Sequence, residues 1–436
     1  MKISDPKKPS ANRTSTARER TSNAMGETSR KNVMLIITQD TKQEEARFVR
    51  DHLEGAGVDV VHLDPSVRCD RGGAEIGPDA VAQAAGTTIA QIQALGHEGK
   101  IHEKMIAGAI KAAHDYAAHR PIHGILSVGG SMGTALAGAL MQSFPYGLPK
   151  LIVSTMASGF TKPYVGVRDI AMMNAVTDIA GINTISRDVY RNAALAMAGM
   201  AKGYDGAPVS ERPLVLMTTL GTTEPTTRVI RQALERDGCE VMVFHSSGAG
   251  GPTLDAIAAE RDVALVLDLS VTEIIDHLFG GLADGGPTRG TVGMARGIPT
   301  IWAPGNVDFI IGGPIDAAQA QFPGKRYHIH NPHLTAVRTD LQDLQRIGDR
   351  LAAMIADAKG PVAFFTPLGG FSSHDSAAGH LYDPSLPAPF ADYVRGVMPP
   401  HAEFHAIDGH FNDATFAQAI IAQARAMLGQ KAKVTA

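Results

Sequence analysis

The feature that most constrains the fold is a pattern this chain uses twice. The apolar run Val33-Met34-Leu35-Ile36-Ile37-Thr38 passes through Gln39-Asp40-Thr41-Lys42 into a helical period carrying Phe48, Val49 and Leu53. Gly57 closes it, and a second apolar run follows at 58–64. The run Leu214-Val215-Leu216-Met217-Thr218-Thr219 begins the same sequence of events, with Val229, Ile230 and Leu234 in the helical period, then Gly238 and an apolar run at 239–245. Thr38 aligns with Thr219, Thr41 with Thr222 and Gly57 with Gly238, without a gap. Apolar runs of this length, bounded by turns and alternating with helices, read as buried parallel strands. The expected fold is α/β: two doubly wound, mainly parallel-sheet domains related by an internal duplication.

A chain of 436 residues has room for two or three domains. The expected division is a disordered tail at 1–30, a nucleotide-binding domain at 31–203 and a second α/β domain, holding the substrate, at 212–430, with a Gly- and Pro-containing linker between the domains. The tail is rich in Lys, Arg, Ser and Thr, and either Met1 or Met25 is the expected start. Further strands are expected at 122–128, 151–154, 264–267, 300–303 and 362–366. Further helices are expected at 78–95, 100–118, 186–201, 340–358 and 413–428. A net charge of −4 gives no footprint for nucleic acid. Two cysteines, Cys69 and Cys239, form no disulfide framework or metal-ligand spacing, which fits a reducing, cytoplasmic setting. No apolar run reaches membrane-spanning length.

In open α/β sheets ligands bind beyond the carboxyl ends of the strands, so the loops there are the candidates. Gly129-Gly130-Ser131-Met132-Gly133-Thr134 stands between an apolar strand and an apolar helix. Glycines permit close backbone approach, and a helix start offers unpaired N–H groups and a positive dipole end to an anion. The plain alternative is a tight strand-to-helix turn with no ligand. Thr38, Asp40, Thr41 and Lys42 follow the first strand, with Lys42 a point cation for phosphate. Ser154, Ser158 and Gly159 form a second hydroxyl-glycine turn. Asp40 or Asp64 is a candidate for Mg²⁺, which prefers oxygen ligands and keeps several waters. A solvated helix start at Lys42 and a simple turn at Asp64 are the structural alternatives.

At these residues the chain resembles the uncharacterised ATP-binding family typified by the tobamovirus-resistance protein of tomato. The similarity rests on 38–42, 129–134, 154–159 with Tyr164-Val165-Gly166, and 178–187. It continues through Gly312-Gly313-Pro314, His330-Asn331-Pro332, Arg338-Thr339 and His410-Phe411-Asn412-Asp413. The resemblance, which runs from about residue 33 to 428, implies two α/β domains, ATP in the first and a homo-oligomer, but supplies no reaction. Ile37 departs from it, standing where relatives tend to have glycine.

The second half carries most of the histidines. His328 and His330 share a face if 327–333 is extended; they can hold a metal or simply make hydrogen bonds. Ser372, His374 and Asp375 contain the residue types of a hydrolase triad without its usual local order. His330, His410 and Glu273 are the candidate catalytic residues, Glu273 being equally a helix-start acid. The expected protein is ATP-binding with Mg²⁺, acting on a small anionic metabolite near the interdomain cleft. The alternatives are a nucleotide-responsive binding protein without turnover, and a lyase or hydrolase centred in the second half.

Overall fold

The computed structural model describes residues 30–206 and 210–434, with side chains to 429. The tail expected at 1–30 lies outside the described residues except for its last position, and so does Met25. The described residues fall into two compact units, one in each half of the chain.

In the first unit the order is β1 (Asn32–Ile36), α1 (Gln39–Gly55), β2 (Asp59–Leu63), α2 (Pro78–Ala84), α3 (Ile89–Gln93), α4 (Glu98–His119), β3 (Gly124–Gly129), α5 (Ser131–Gln142), β4 (Lys150–Ser154), α6 (Lys162–Val165), β5 (Ala171–Asn174) and α7 (Thr184–Lys202). The sheet is parallel throughout, in the order β2-β1-β3-β4-β5. Successive residues of β1 point to opposite faces. Val33 and Leu35 pack with Val49, Leu53, Tyr190 and Met197 of α1 and α7. Met34 and Ile36 pack with Val81, Met105 and Leu140 of α2, α4 and α5. Helices therefore cover both faces, as the apolar runs require.

The single helix expected at 78–95 is two. Gly86, at φ 74°, leaves helical space, and Thr88 starts α3 with a capping box through Gln91. The strand β5 was not expected: its residues are partly exposed at the sheet edge and lack an apolar run.

The second unit continues with β6 (Leu214–Thr219), α8 (Glu224–Arg236), β7 (Glu240–His245), α9 (Gly250–Glu260), β8 (Leu265–Asp268), α10 (Thr272–Phe279), α11 (Val292–Ala295), β9 (Thr300–Trp302) and β10 (Phe309–Gly312). It ends with α12 (Ile315–Gln321), β11 (Tyr327–Asn331), β12 (Leu334–Arg338), α13 (Leu341–Ala356), β13 (Val362–Pro367), α14 (Pro387–Val397), β14 (Glu403–Ile407) and α15 (Ala414–Val434). Its parallel sheet runs β14-β13-β9-β8-β6-β7, so its first five strands follow the order seen in the first unit. A three-stranded antiparallel sheet, β10-β12-β11, is inserted between β9 and β13. Ile230, Ala233 and Leu234 of α8 are buried as the period predicts, but Val229 is turned outward. Among the described residues no helix is long and apolar enough to cross a membrane.

Candidate functional site

In the first sheet the chain leaves β1 toward one face and β3 toward the other, because α1 and α5 lie on opposite sides. Neighbouring strands whose connections diverge in this way open a crevice at their carboxyl ends. A cavity of about 630 Å³ occupies that place, within the range of about 300–1,000 Å³ typical of ligand sites. Thr38, Asp40, Thr41 and Lys42 line one side and Gly129, Gly130, Ser131 and Gly133 the other. Val67, Ile101, Met105 and Leu136 supply apolar wall.

Three helices, α1, α4 and α5, start at this crevice; the start of α1 is satisfied by a neighbouring loop, and that of α5 is free. At α1 the amide of Gln39 donates to Asp64 Oδ1 (3.0 Å) and that of Asp40 donates to Ser66 Oγ (3.0 Å). Asp40 Oδ2 in turn accepts from the amides of Val67 and Arg68 (3.3 and 3.1 Å). The loop after β2 thus satisfies the α1 end. At α5 the cap is Gly130, extended at φ −73° and ψ −164°, with no side-chain cap. The first helical bond there is Thr134 N–H to the Gly130 carbonyl (2.8 Å), which leaves the amides before Thr134 pointing outward at the positive end of the helix.

The glycines of this turn separate by what a side chain would meet. A Cβ on Gly129 would lie 3.0 Å from the Gly133 Cα, so packing alone requires that glycine. On Gly130 it would come no closer than 3.9 Å to Thr155 Oγ1, and on Gly133 it would meet nothing. Lys42 breaks the helical geometry of α1 (φ −138°, ψ 38°). Its Nζ reaches Thr41 Oγ1 at 3.3 Å. Neither Lys42 nor Arg68 has an ion-pair partner among the described residues. Arg68, at the end of the candidate strand-end loop 64–68, also lines the cavity, and so does His102, which sequence reasoning missed. His102 keeps a buried Nε2 without a partner, and burial holds its pKa below the usual histidine value. No local motif marks His102; the fold alone brings it here.

Several expected ligands stand elsewhere. Thr134 is fully buried, its Oγ1 shared with Ser154 Oγ (2.6 Å) and the Gly129 carbonyl (3.2 Å). This pair ties the turn to β4 behind the cavity. Ser158 and Gly159 are exposed in the turn after β4 and do not line the crevice. Asp64 is also buried, and Oδ1 accepts from Gln39 and Ser66. Desolvation raises its pKa above the usual carboxylate range, and Oδ2 has no partner. Asp40 keeps one carboxylate oxygen uncommitted and faces the cavity, so it fits Mg²⁺ better than Asp64 does. No cluster of three His, Cys, Asp or Glu side chains able to hold a metal occurs among the described residues.

The corresponding point in the second unit, between β6 and β8, is filled. Asn306 is buried at φ 70°. Its Nδ2 donates to Thr222 Oγ1 (2.5 Å), and its Oδ1 accepts from Ser270 Oγ (2.7 Å) and Thr223 Oγ1 (3.4 Å). Glu273 is not placed as a base. It is fully buried, 3.0 Å from Arg289 Nε, and accepts from the amides of Gly248 and Gly251 (both 2.9 Å). His410 is likewise committed: Nε2–H donates to the Ser372 carbonyl (3.0 Å), and Nδ1 accepts from the Asn412 amide (2.9 Å). The Asn412 bond assigns that tautomer. Ser372 donates to Asp308 (2.7 Å) and Asp375 pairs with Arg338 (3.0 Å), so no Ser-His-Asp relay forms. His328 and His330 do share a face, but His328 stacks on His380 at 4.2 Å, a geometry for packing rather than chelation. His330 lines a separate cavity with His245 and His374.

Comparison with known proteins places both units. Residues 31–206 match the N-terminal domain of an uncharacterised protein family (UPF0261), and residues 212–428 match its C-terminal domain. A UPF0261 protein of Clostridium tetani is 33% identical over 411 residues, covering 92% of this chain and all of that protein. A UPF0261 protein of Mesorhizobium japonicum is 31% identical, covering 90% and 98%. The ToMV resistance protein Tm-1(GCR237) of Solanum lycopersicum is 27% identical over 417 residues, covering 89% of this chain and 55% of that protein.

Proposed function

Because this chain belongs to the UPF0261 family, we propose that the first of its two domains binds ATP with Mg²⁺ in the crevice between β1 and β3. The observation that carries this reading is the free start of α5, with Gly130 and Gly133 open to the cavity for no packing reason. Amides of that turn receive a phosphate, as helix starts do. Lys42 and Arg68 supply the balancing charge. The apolar wall of Val67, Ile101, Met105 and Leu136 suits a flat base. Asp40, directly or through water, is the side chain for Mg²⁺, which screens phosphate charge when bound.

In its enzymatic form this reading is an ATP-dependent reaction on a small anionic metabolite. The second reading is a nucleotide-responsive binding protein without turnover. It is favoured by the state of the acid–base groups at the crevice: Asp40 holds the Val67 and Arg68 amides and His102 is desolvated, which leaves Glu98 as the carboxylate without such a commitment. Calorimetric titration of the full chain with ATP, with and without Mg²⁺, tests the binding; a hundredfold excess over Kd stabilises a folded protein by about 2.7 kcal/mol. Absence of both binding heat and a melting shift overturns it. Steady ATP consumption in the presence of a metabolite pool separates the enzyme from the responsive binder.

A further inference from the structure

The second unit has its own cavity, of about 360 Å³. Its floor is one face of the inserted antiparallel sheet. In β12, Leu334 and Ala336 share that face by the period of two, and Ile311 of β10 lies opposite Ala336. Phe309 sits two residues before Ile311 on the same face. The rim comes from the carboxyl ends of parallel strands: Leu220 and Gly221 after β6, His245 at the end of β7, and His374 after β13. That is where α/β sheets place ligands, and the insertion gives the second sheet a wall there that the first lacks.

The lining contains no Lys, Arg, Asp or Glu. A phosphate or carboxylate entering it would lose water without meeting a full opposite charge. The polar side chains that line it are the hydroxyls of Thr222, Ser247 and Thr335 and three imidazoles. The rings of His245, His330 and His374 have no hydrogen-bond partner among the described residues. His374 stands edge-on to Phe309 at 5.3 Å and beside His328 at 4.8 Å. Burial, reinforced by His328, His330 and His380, holds its pKa down to about 4. A neutral imidazole offers both a donor and an acceptor.

We propose that this cavity binds a small uncharged molecule, with an apolar ring or branched body against Phe309, Ile311, Leu334 and Ala336 and one hydroxyl or carbonyl held by His330 and His374. The site is distinct from the nucleotide crevice and does not depend on it.

The test uses the full chain with ring-labelled histidine, titrated with phenol and, separately, with inorganic phosphate. Phenol should move the His330 and His374 ring resonances saturably, and phosphate should not. Gly221→Leu places a side chain at the mouth, where a Cβ meets nothing, and should weaken phenol by at least about tenfold. Ala336→Leu, which raises the floor, should do the same. No saturable movement with phenol, an equal response to phosphate, or undiminished binding in either folded variant overturns the proposal. Neither titration contains nucleotide, so this failure is separate from a failure at the first domain.

Discussion

Gly129, Gly130 and Gly133 sit in one turn, yet substitution should separate their roles. Gly129→Ala presses a Cβ against the Gly133 backbone and should cost about 1–3 kcal/mol in urea unfolding. Gly133→Ala has open space in a helix and should stabilise the free protein by about 0.5–1 kcal/mol. If the turn holds phosphate, the same change should weaken ATP by about tenfold or more, close to 1.4 kcal/mol. A turn that serves only the fold would show the stabilisation with no loss of nucleotide. Lys42→Ala should likewise weaken ATP and flatten its salt dependence, because an exposed cation acts through a screened field. Asp255 should make stability depend on pH. It is buried near Asp268, holds the Gly290 amide at 2.7 Å, and has its pKa raised by desolvation to about 6. Between about pH 4, where the unfolded carboxyl ionises, and about pH 6, the unfolded state releases a proton that the folded state keeps. Stability therefore falls as pH rises through that window and levels off above it. Asp255→Asn should remove this slope in pH-dependent urea midpoints. At this scale the sequence revealed Thr38, Lys42, Gly130 and Gly133, because strand-end position and residue type coincide there. His102 was illegible because packing between distant segments, not local spacing, brings it to a cavity, whereas Arg68 and His374 lie in strand-end loops and only the cavity each lines was hidden.

Among the elements, legibility followed burial. Strands β1, β3, β6 and β8 are covered on both faces, so their sequences are unbroken apolar runs. β5, β11 and β14 are partly exposed and mix polar with apolar residues, so no run announces them. In the antiparallel insertion that reason covers β11 alone; β10 and β12 are mostly buried but only four and five residues long, and they were missed together with the floor of the second cavity. The acidic start of α10 was legible as chemistry but ambiguous in role: Glu273 suits a base or a helix-start acid. The structure resolves this through Arg289, which also pairs with Asp268 at the end of β8 and donates to the Ser270 carbonyl (3.0 Å). Through Glu273 it also reaches the start of α9. The guanidinium is a tie between three elements. Arg289→Met leaves two buried carboxylates without their cation and should destabilise by about 3–5 kcal/mol. The urea midpoint should fall with little change in slope. An unchanged midpoint would mean that the triad does not hold these elements together.

For the whole chain, the contrast lies in how two sheets of related strand order use their carboxyl ends. The first leaves the β1–β3 crevice open, with cations and a free helix start. The second closes the corresponding point with Asn306 and opens an uncharged cavity over the inserted sheet. Each unit also has cores of its own, with residues of 33–201 in one pair of clusters and residues of 215–427 in the other. Units with separate cores unfold as separate cooperative transitions when each is stable alone. Scanning calorimetry of the full chain should therefore resolve two transitions. A ligand that binds only one folded unit stabilises that unit by mass action. Mg-ATP should raise one transition and leave the other in place, while phenol should raise the second and leave the first. The assignment is checked by Gly133→Ala, which should abolish or reduce the ATP shift alone, and by Gly221→Leu, which should do so for phenol alone. Both ligands raising the same transition would refute a division of binding between the two units.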